Sequence, residues 1–352
     1  MENIKLQMNP AQVRGFAIDR NTTEETLNTL GVYAMDALPA SVTTATVSTP
    51  LQFLQYFCPN AIRIATAARK IDELIGRTIV ANWEDEEVVT PVIEQLGSVR
   101  PYGDYNSTVL SSVNVNYERR TIERFETGIE VTLLEEQRAS KQRLNDAEEK
   151  RNAAITALAI EQNRIGFFGY NDGSNRTYGF LNDPNLPAYV TVAQGAGLQT
   201  TWLSKTFDEI CTDIRTAFSA LRVKSGDLFD PYKDDCTLAV SSAVREYLTK
   251  TTQLGYDVEK WIKDTFPKCR IVSAPELNQV NGGANVFYLY ADKINDRNVF
   301  DHNVVTALRS LGVERTLKGY AEAYSNATAG VMLNMPIGVV RYTGISEMMF
   351  IN

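Results

Sequence analysis

TLLEEQRASKQRLNDAEEKRNAAITALAIEQNRIGFF, residues Thr132 to Phe168, holds no proline and no glycine before Gly166. Unbroken helix formers over that length predict one helix of about 50 Å at 1.5 Å per residue. Its character changes on the way. From Glu135 to Asn152, ten of eighteen residues are charged, and only Ala139, Leu144 and Ala147 are apolar. From Ala153 onward Ile155, Leu158, Ile165 and Phe168 form a greasier stripe. Such a helix is anchored at one end and solvated, or charge-paired to a neighbour, along the rest. A compact monomeric enzyme has little use for that shape.

The sequence before this helix reads as β over 78–131. TIVANW ends at Trp83, a charged turn runs from Glu84 to Glu87, and VVTPVI follows. Gly97 to Ser107 carries Pro101, Gly103 and Asp104 and reads as loop. Val109, Val113, Val115 and Tyr117 then fall on one parity, against Ser112, Asn114, Asn116 and Glu118 on the other. That alternation predicts a half-buried strand. Phe125, Ile129 and Val131 continue it. The whole stretch is a hairpin-like excursion with little core of its own. Further upstream, residues 1–50 are polar and weakly patterned, with a Thr-rich, β-prone run VTTATVSTP at Val42 to Pro50. They read as an arm that gains order by lying on something else. Short helices are expected over Leu51 to Phe57 and Ala61 to Leu74.

After the helix, Phe167 to Pro184 (FFGYNDGSNRTYGFLNDP) is a Gly/Asn/Asp-rich connector. Residues 185–315 read as mixed α/β. Phe207, Ile210, Cys211, Ile214, Phe218 and Leu221 keep helical spacing over 206–223, and Thr206 with Glu209 forms a capping box. Strands are expected at Cys236 to Val240, Cys269 to Val272 and Val286 to Tyr290. Helices are expected at Ala243 to Lys250, N-capped by Ser242, and around Val258 to Phe266. Near the end, Val331, Leu333, Met335, Ile337 and Val339 alternate as one strand would. The terminal EMMFIN stays apolar and reads as a packed tail.

Composition narrows function. The 352 residues are 44% hydrophobic and 22% charged, ordinary for a globular protein. Lys plus Arg is 35 and Asp plus Glu is 43, a net charge of −8, which disfavours broad contact with a polyanion. Cysteines at 58, 211, 236 and 269 form no C-x-x-C pair, so a zinc site has no support and a reduced, intracellular chain is expected. No secretory stretch opens the chain and no run of 18 apolar residues occurs, so no membrane span is expected. With Met1 at the start, no N-terminal maturation cleavage is expected.

Chemistry is sparse. The one histidine, His302, stands without a G-x-S-x-G elbow and reads as a surface or loop residue. Gly169, Gly173 and Gly179 match no phosphate-loop spacing, and Asn171, Asp172, Gly173 and Asn175 do not complete a calcium loop. Turn chemistry accounts for them. Glu135-Glu136 and Glu148-Glu149 read as a solvated helix face. Arg119, Arg120 and Arg124 sit among Glu118 and Glu123, which favours salt bridges over nucleic-acid contact. No catalytic, cofactor-binding or metal-ligating residue is expected.

The order of segments is the strongest signal: arm, helix, β excursion, long charged helix, Gly/Asn connector, α/β region, β return. In that order the chain resembles the major capsid proteins of tailed bacteriophages, with the Hong-Kong-97-type fold. The stretches that carry the resemblance are Trp83 to Ile93, PYGDY at Pro101 to Tyr105, the long helix, Gly166 to Pro184, and TAGVMLNMPIGVVRYTGI at Thr328 to Ile345. The resemblance implies an α+β capsid fold with an N-terminal arm over 1–50 and an extended β loop over 79–118. It implies a peripheral domain from 51–78, 119–190 and 316–352, whose spine helix covers about 132–168. An axial α/β domain would cover 191–315.

It also implies self-assembly as hexamers and pentamers into an icosahedral shell in the virion, built in the host bacterial cytoplasm. The extended loop would lie on a neighbouring subunit. Scaffold, portal and possible cement proteins would be partners, and double-stranded DNA would be enclosed without sequence-specific binding. Candidate inter-subunit contacts are Arg100, Tyr102 and Tyr105 in the loop, Arg119 and Arg120 at its base, and Glu135 and Arg138 on the helix. Some members of the family crosslink a loop lysine to a neighbour's asparagine. No lysine occurs from Ile71 to Ser140, so no such crosslink is expected. Two other readings remain at this level: an encapsulin-like nanocompartment shell, and, more remotely, a soluble α/β enzyme using His302 or Cys236.

Overall fold

The computed structural model describes residues 68–102, 104, 109–141, 146–253 and 255–346. The arm over 1–50, the helix over 51–57 and the EMMFIN tail lie outside the described residues, as does most of the helix expected over 61–74. That last helix is represented by α1, Ile71–Leu74. The extended region follows: β1 is Thr78–Ile79, β2 Glu87–Leu96, β3 Ser112–Thr121 and β4 Glu123–Thr132. The long charged stretch forms α2, Leu133–Lys141, and α3, Asp146–Phe168; the residues between them lie outside the described set. Beyond the connector come β5, Val190–Thr191, α4, Phe207–Lys224, β6, Cys236–Ser241, and a 3-10 helix, Ser242–Thr249. Then come α5, Val258–Thr265, β7, Cys269–Ala274, and β8, Val286–Ala291. The chain closes with β9, Lys293–Ile294, β10, Arg297–Asn298, β11, Phe300–Thr316, β12, Gly319–Leu333, and β13, Val339–Thr343.

Two sheets carry the structure. A five-stranded mixed sheet has the order β5-β13-β8-β6-β7. Every residue of β6, β8 and β13 is buried, because layers cover both faces. The helix expected over 206–223 is α4. Its start is secured where Glu209 reaches back to accept from the Thr206 amide at 2.7 Å. Ile210, Ile214, Phe218 and Leu221 then bury one stripe of it in the main core. Within that core Phe218 stacks on Phe266 at 3.8 Å and Phe287 on Tyr342 at 5.0 Å. The helix expected at Ala243 to Lys250 is a 3-10 helix instead, with Ser241 rather than Ser242 as its N-cap. The Asn278 amide oxygen accepts from the Ser241 hydroxyl and from the Ala243 amide, which holds that tighter turn.

The second sheet has the order β1-β11-β12-β4. β11 and β12 form a long antiparallel hairpin, from Phe300↔Leu333 to Thr316↔Gly319, with four register irregularities. β4 pairs along the far side of β12, and α3 packs against both through Ala154, which clusters with Ile129 and Val131 of β4 beside Tyr320 and Tyr324 of β12. The apparent alternation from Val331 to Val339 is not one strand. β12 ends at Leu333, Pro336–Gly338 makes a 3-10 turn, and β13 begins at Val339 in the other sheet. Pro336 lacks the amide a continuing ladder would need. Asn334 secures the crossing by donating from Nδ2 to Asp301 Oδ2 at 2.6 Å. Residues 326–333 are buried on both parities, not one.

Among the described residues β2 and β3 pair only with each other, in register from Glu87↔Thr121 to Leu96↔Ser112. They form a two-stranded ribbon leaving the four-stranded sheet where β3 runs into β4. In the connector, Asx-type turns close the chain as its composition predicts: the Gly173 amide donates to Asn171 Oδ1 at 2.8 Å and the Ser174 amide to Asp172 Oδ1 at 3.0 Å.

Candidate assembly surfaces

The ribbon is the structure's clearest unsatisfied surface. Register places Ile93 opposite Val115, Pro91 opposite Tyr117 and Gln95 opposite Val113. With side chains alternating at period two, Val89, Pro91, Ile93, Val113, Val115 and Tyr117 share one face. Within the subunit this face lies in water: Ile93 is 48% exposed, Val115 43% and Tyr117 60%. Burying such side chains is worth roughly 1.5–3 kcal/mol each. Isolated two-stranded ribbons are marginal in water. This ribbon therefore has a face to lose, and nothing in its own chain covers it among the described residues.

The ribbon's root is built from arginines. Arg119 lies 3.5 Å from Glu87 across the ladder, exposed to solvent. Arg120 turns inward instead. Its guanidinium donates to Asp183 at 2.9 Å and to Glu118 at 3.0 Å, lies over the Tyr178 ring at 5.1 Å, and is 2% exposed. Expected at an inter-subunit contact, Arg120 is spent inside its own subunit. Arg124 donates to the backbone oxygens of Trp83 and Asp85. The salt-bridging role expected for Arg119, Arg120 and Arg124 holds in the structure.

Of the other candidate contacts, Arg100 and Tyr102 are exposed near the ribbon tip, Tyr102 at 93%. Tyr105 lies outside the described residues. Glu135 caps the start of α2 through Thr132 and pairs with Lys150 at 3.0 Å; that hydrogen bond holds its carboxyl below the usual range. Arg138 is exposed on the same helix, near exposed Leu133 and Leu134. The structure does not gather these residues into one site; they are spread over the ribbon, its root and α2. Charges on α3 find partners in the same chain: Arg151 with Glu322 at 2.6 Å and Arg164 with Glu161. A further exposed apolar patch, Leu308, Leu311, Val313 and Leu317, lies on the outer part of the β11–β12 hairpin. The spacing there is broken by bulges, so periodicity does not reveal it.

The residues an enzyme reading would need are interior. His302 is fully buried in β11, not at the surface or in a loop. Its Nδ1 lies 3.1 Å from Asp72 Oδ1, and that contact, with Arg77 beyond it, pulls the Asp72 carboxyl far below the usual range. Cys236 is buried beside its register partner Cys269; the neighbouring thiol and burial push its ionisation far up. Among the described residues no three His, Cys, Asp or Glu side chains cluster as metal ligands, and no helix is long and apolar enough to cross a membrane.

The described residues thus form a mixed α+β subunit with a projecting apolar ribbon, a charged helix α3 and no cluster of metal-ligating side chains. Residues 40–344 match the family described as Pa193 gp26 major capsid protein, and the chain belongs to that family. It is a structural capsid protein, not an enzyme. The solved capsid of Myoviridae phage XM1 is similar to it, with a TM-score of 0.67 at 18% identity over 85% of this chain and 99% of that one. The capsid of a native GTA particle gives a TM-score of 0.55 at 11% identity, over 85% and 99% of the two chains. That of cyanophage P-SCSP1u gives 0.54 at 12% identity, over 86% and 97%. At such identities the likeness is one of fold. No curated protein sequence matches the chain.

Proposed function

We propose that this capsid protein closes into an icosahedral shell of hexamers and pentamers, and that the β2–β3 ribbon is the element each subunit lays on a neighbour. The observation that carries the reading is the ribbon's exposed apolar face, Val89 to Tyr117, which no other described residue of the chain covers. Arg100, Tyr102, Arg119, Glu135 and Arg138, exposed on the ribbon, its root and α2, stay contact candidates, with Tyr105 of the same loop. Arm 1–50, extended loop 79–118, peripheral segments 51–78, 119–190 and 316–352, and axial segment 191–315 are the units in which assembly would proceed.

Each contact contributes little, and the shell persists because losing one subunit breaks many contacts together. The heterologous interfaces must close by symmetry or yield open sheets and tubes. A chain of net charge −8 suits a wall that encloses double-stranded DNA without gripping it. Scaffold, portal and cement proteins would act around this shell in the host cytoplasm. Light scattering after size exclusion, with negative-stain images, tests the reading. Closed particles or capsomers of five and six subunits support it. A chain that stays monomeric at high concentration sinks it.

A further inference from the structure

Trp83 sits at the tip of a tight turn between β1 and β2. Ala81 before it takes a left-handed conformation at φ 60°, and the Asn82 amide donates to Asp85 Oδ2 at 2.7 Å. The ring packs beside a small apolar cluster of Ile122, Val305, Ala327 and Ala329. Ala327 and Ala329 belong to β12, and their short side chains leave room for an indole above that strand. The strands on either side of β12 then reach Trp83. From β4, Arg124 holds the Trp83 carbonyl at 2.7 and 3.0 Å and lies 5.7 Å from the ring centre. From β11, Arg309 lies 4.9 Å from the same ring, carried there beyond the register shift between Thr306 and Arg309. Both distances suit cation–π attraction.

Two chain connections join the ribbon to the sheet, beside the tie of Arg120 at its root to Asp183. β3 continues into β4 through buried Ile122, whose amide donates to the Glu86 carbonyl at 2.9 Å. β2 follows from the turn that carries Trp83, and its Val88 packs against the same apolar cluster as the indole. Any swing of the ribbon about Ile122 must move that turn. We propose that Trp83, gripped by Arg124 and Arg309, sets the angle at which the ribbon leaves the subunit, and through it the spacing of neighbouring subunits. Arg309 is then a positioning residue for assembly. It touches no neighbour in this account and acts through the indole. The proposal rests on the ribbon being the inter-subunit element.

Arg309 is exposed, so its replacement leaves the fold intact and isolates the effect. The test compares wild type, Arg309→Met, which keeps the stem without the charge, and Arg309→Lys, which keeps a cation. Hydrogen exchange at Trp83 to Val88 is read on the full chain in whatever assembly state it holds, and particle diameters are read by electron microscopy. Arg309→Met should speed exchange there about two- to fivefold, the factor an exposed cation–π contact allows. It should also broaden the diameters or yield open forms, with Arg309→Lys closer to wild type. Unchanged exchange with unchanged diameters in Arg309→Met overturns the clamp. A third chain, with residues 90–118 replaced by a two-residue turn, separates the two readings. If it still forms normal particles, the ribbon reading fails. If it forms none while Arg309→Met behaves as wild type, the clamp alone fails.

Discussion

Nη2 of Arg120 donates to Oδ2 of Asp183 at 2.9 Å across 63 residues of sequence, with the two side chains 2% and 0% exposed. Asp183 also accepts from the amides of Asn185 at 2.9 Å and Leu333 at 3.3 Å. One carboxylate thus ties the ribbon's root, the connector and the end of β12 together. Removing one member of a buried pair strands the other, which costs about 3–5 kcal/mol. Asp183→Ala should lower stability by that order, read as a fall in the denaturation midpoint of the soluble subunit. Replacing both partners, Arg120→Met with Asp183→Leu, should recover much of the loss. A double variant no better than Asp183→Ala would show that the backbone contacts of Asp183, not the ion pair, matter most.

Ile93→Asp with Val115→Asp should separate folding from assembly. Both residues are exposed and directly opposed on one ribbon face, so the two like charges should cost the subunit only about 1–2 kcal/mol, felt locally in the ribbon. Particle formation should fail, because the ribbon face would carry charge into an apolar contact. Circular dichroism melts and negative-stain images check the two halves. Normal particles from this variant would remove the ribbon face from the assembly contacts.

Acid sensitivity follows from Glu322. Its hydrogen bonds from Arg151, at 2.6 and 2.7 Å, and from Tyr324 hold its carboxyl down at about 2. A carboxyl depressed on folding contributes fully above its ordinary value near 4.5, and the contribution fades as pH falls toward 2. Wild type should therefore lose more stability between pH 5 and pH 3 than Glu322→Gln, which has no carboxyl to protonate. Parallel pH dependences in the two chains would assign the α3–β12 tie to packing rather than charge.

Gly330 should resist any side chain. It sits at φ 75° within β12, and a Cβ there would run into the Tyr178 carbonyl oxygen, which accepts from the Val331 amide at 2.8 Å. The left-handed conformation alone costs about 1–3 kcal/mol for a residue other than glycine. Gly330→Val should give little soluble protein, whereas Gly173→Ala, at an open turn, should cost only the conformational strain. Expression and melting of the two variants side by side check this.

Much of the local structure was legible in the residues. The capping box at Thr206 and Glu209, the helical spacing to Leu221 and the apolar runs of β6, β7 and β8 locate their elements to within a few residues. Those signals are local, with period or cap complete inside one segment. Alternation over Val113 to Tyr117 located a strand but overstated its burial, because period two reports a difference between faces and not what covers either one. His302 read as a surface residue because a lone histidine carries no pattern; in the fold it is buried and meets Asp72 of α1, 230 residues away. Asp183 gave no more signal than any aspartate before a proline.

By its residue order alone, the chain located α4, β6, β7 and β8 to within a few residues and showed which capsid family its segments resemble. Tertiary structure decided the rest. It divided the β return at Pro336 between two sheets, turned Arg120 inward while its neighbour Arg119 faces solvent, and set Trp83 between cations from β4 and β11. Each of these depends on partners tens to hundreds of residues apart. Local periodicity encodes which side of an element is apolar, and only the packed chain decides what stands opposite it.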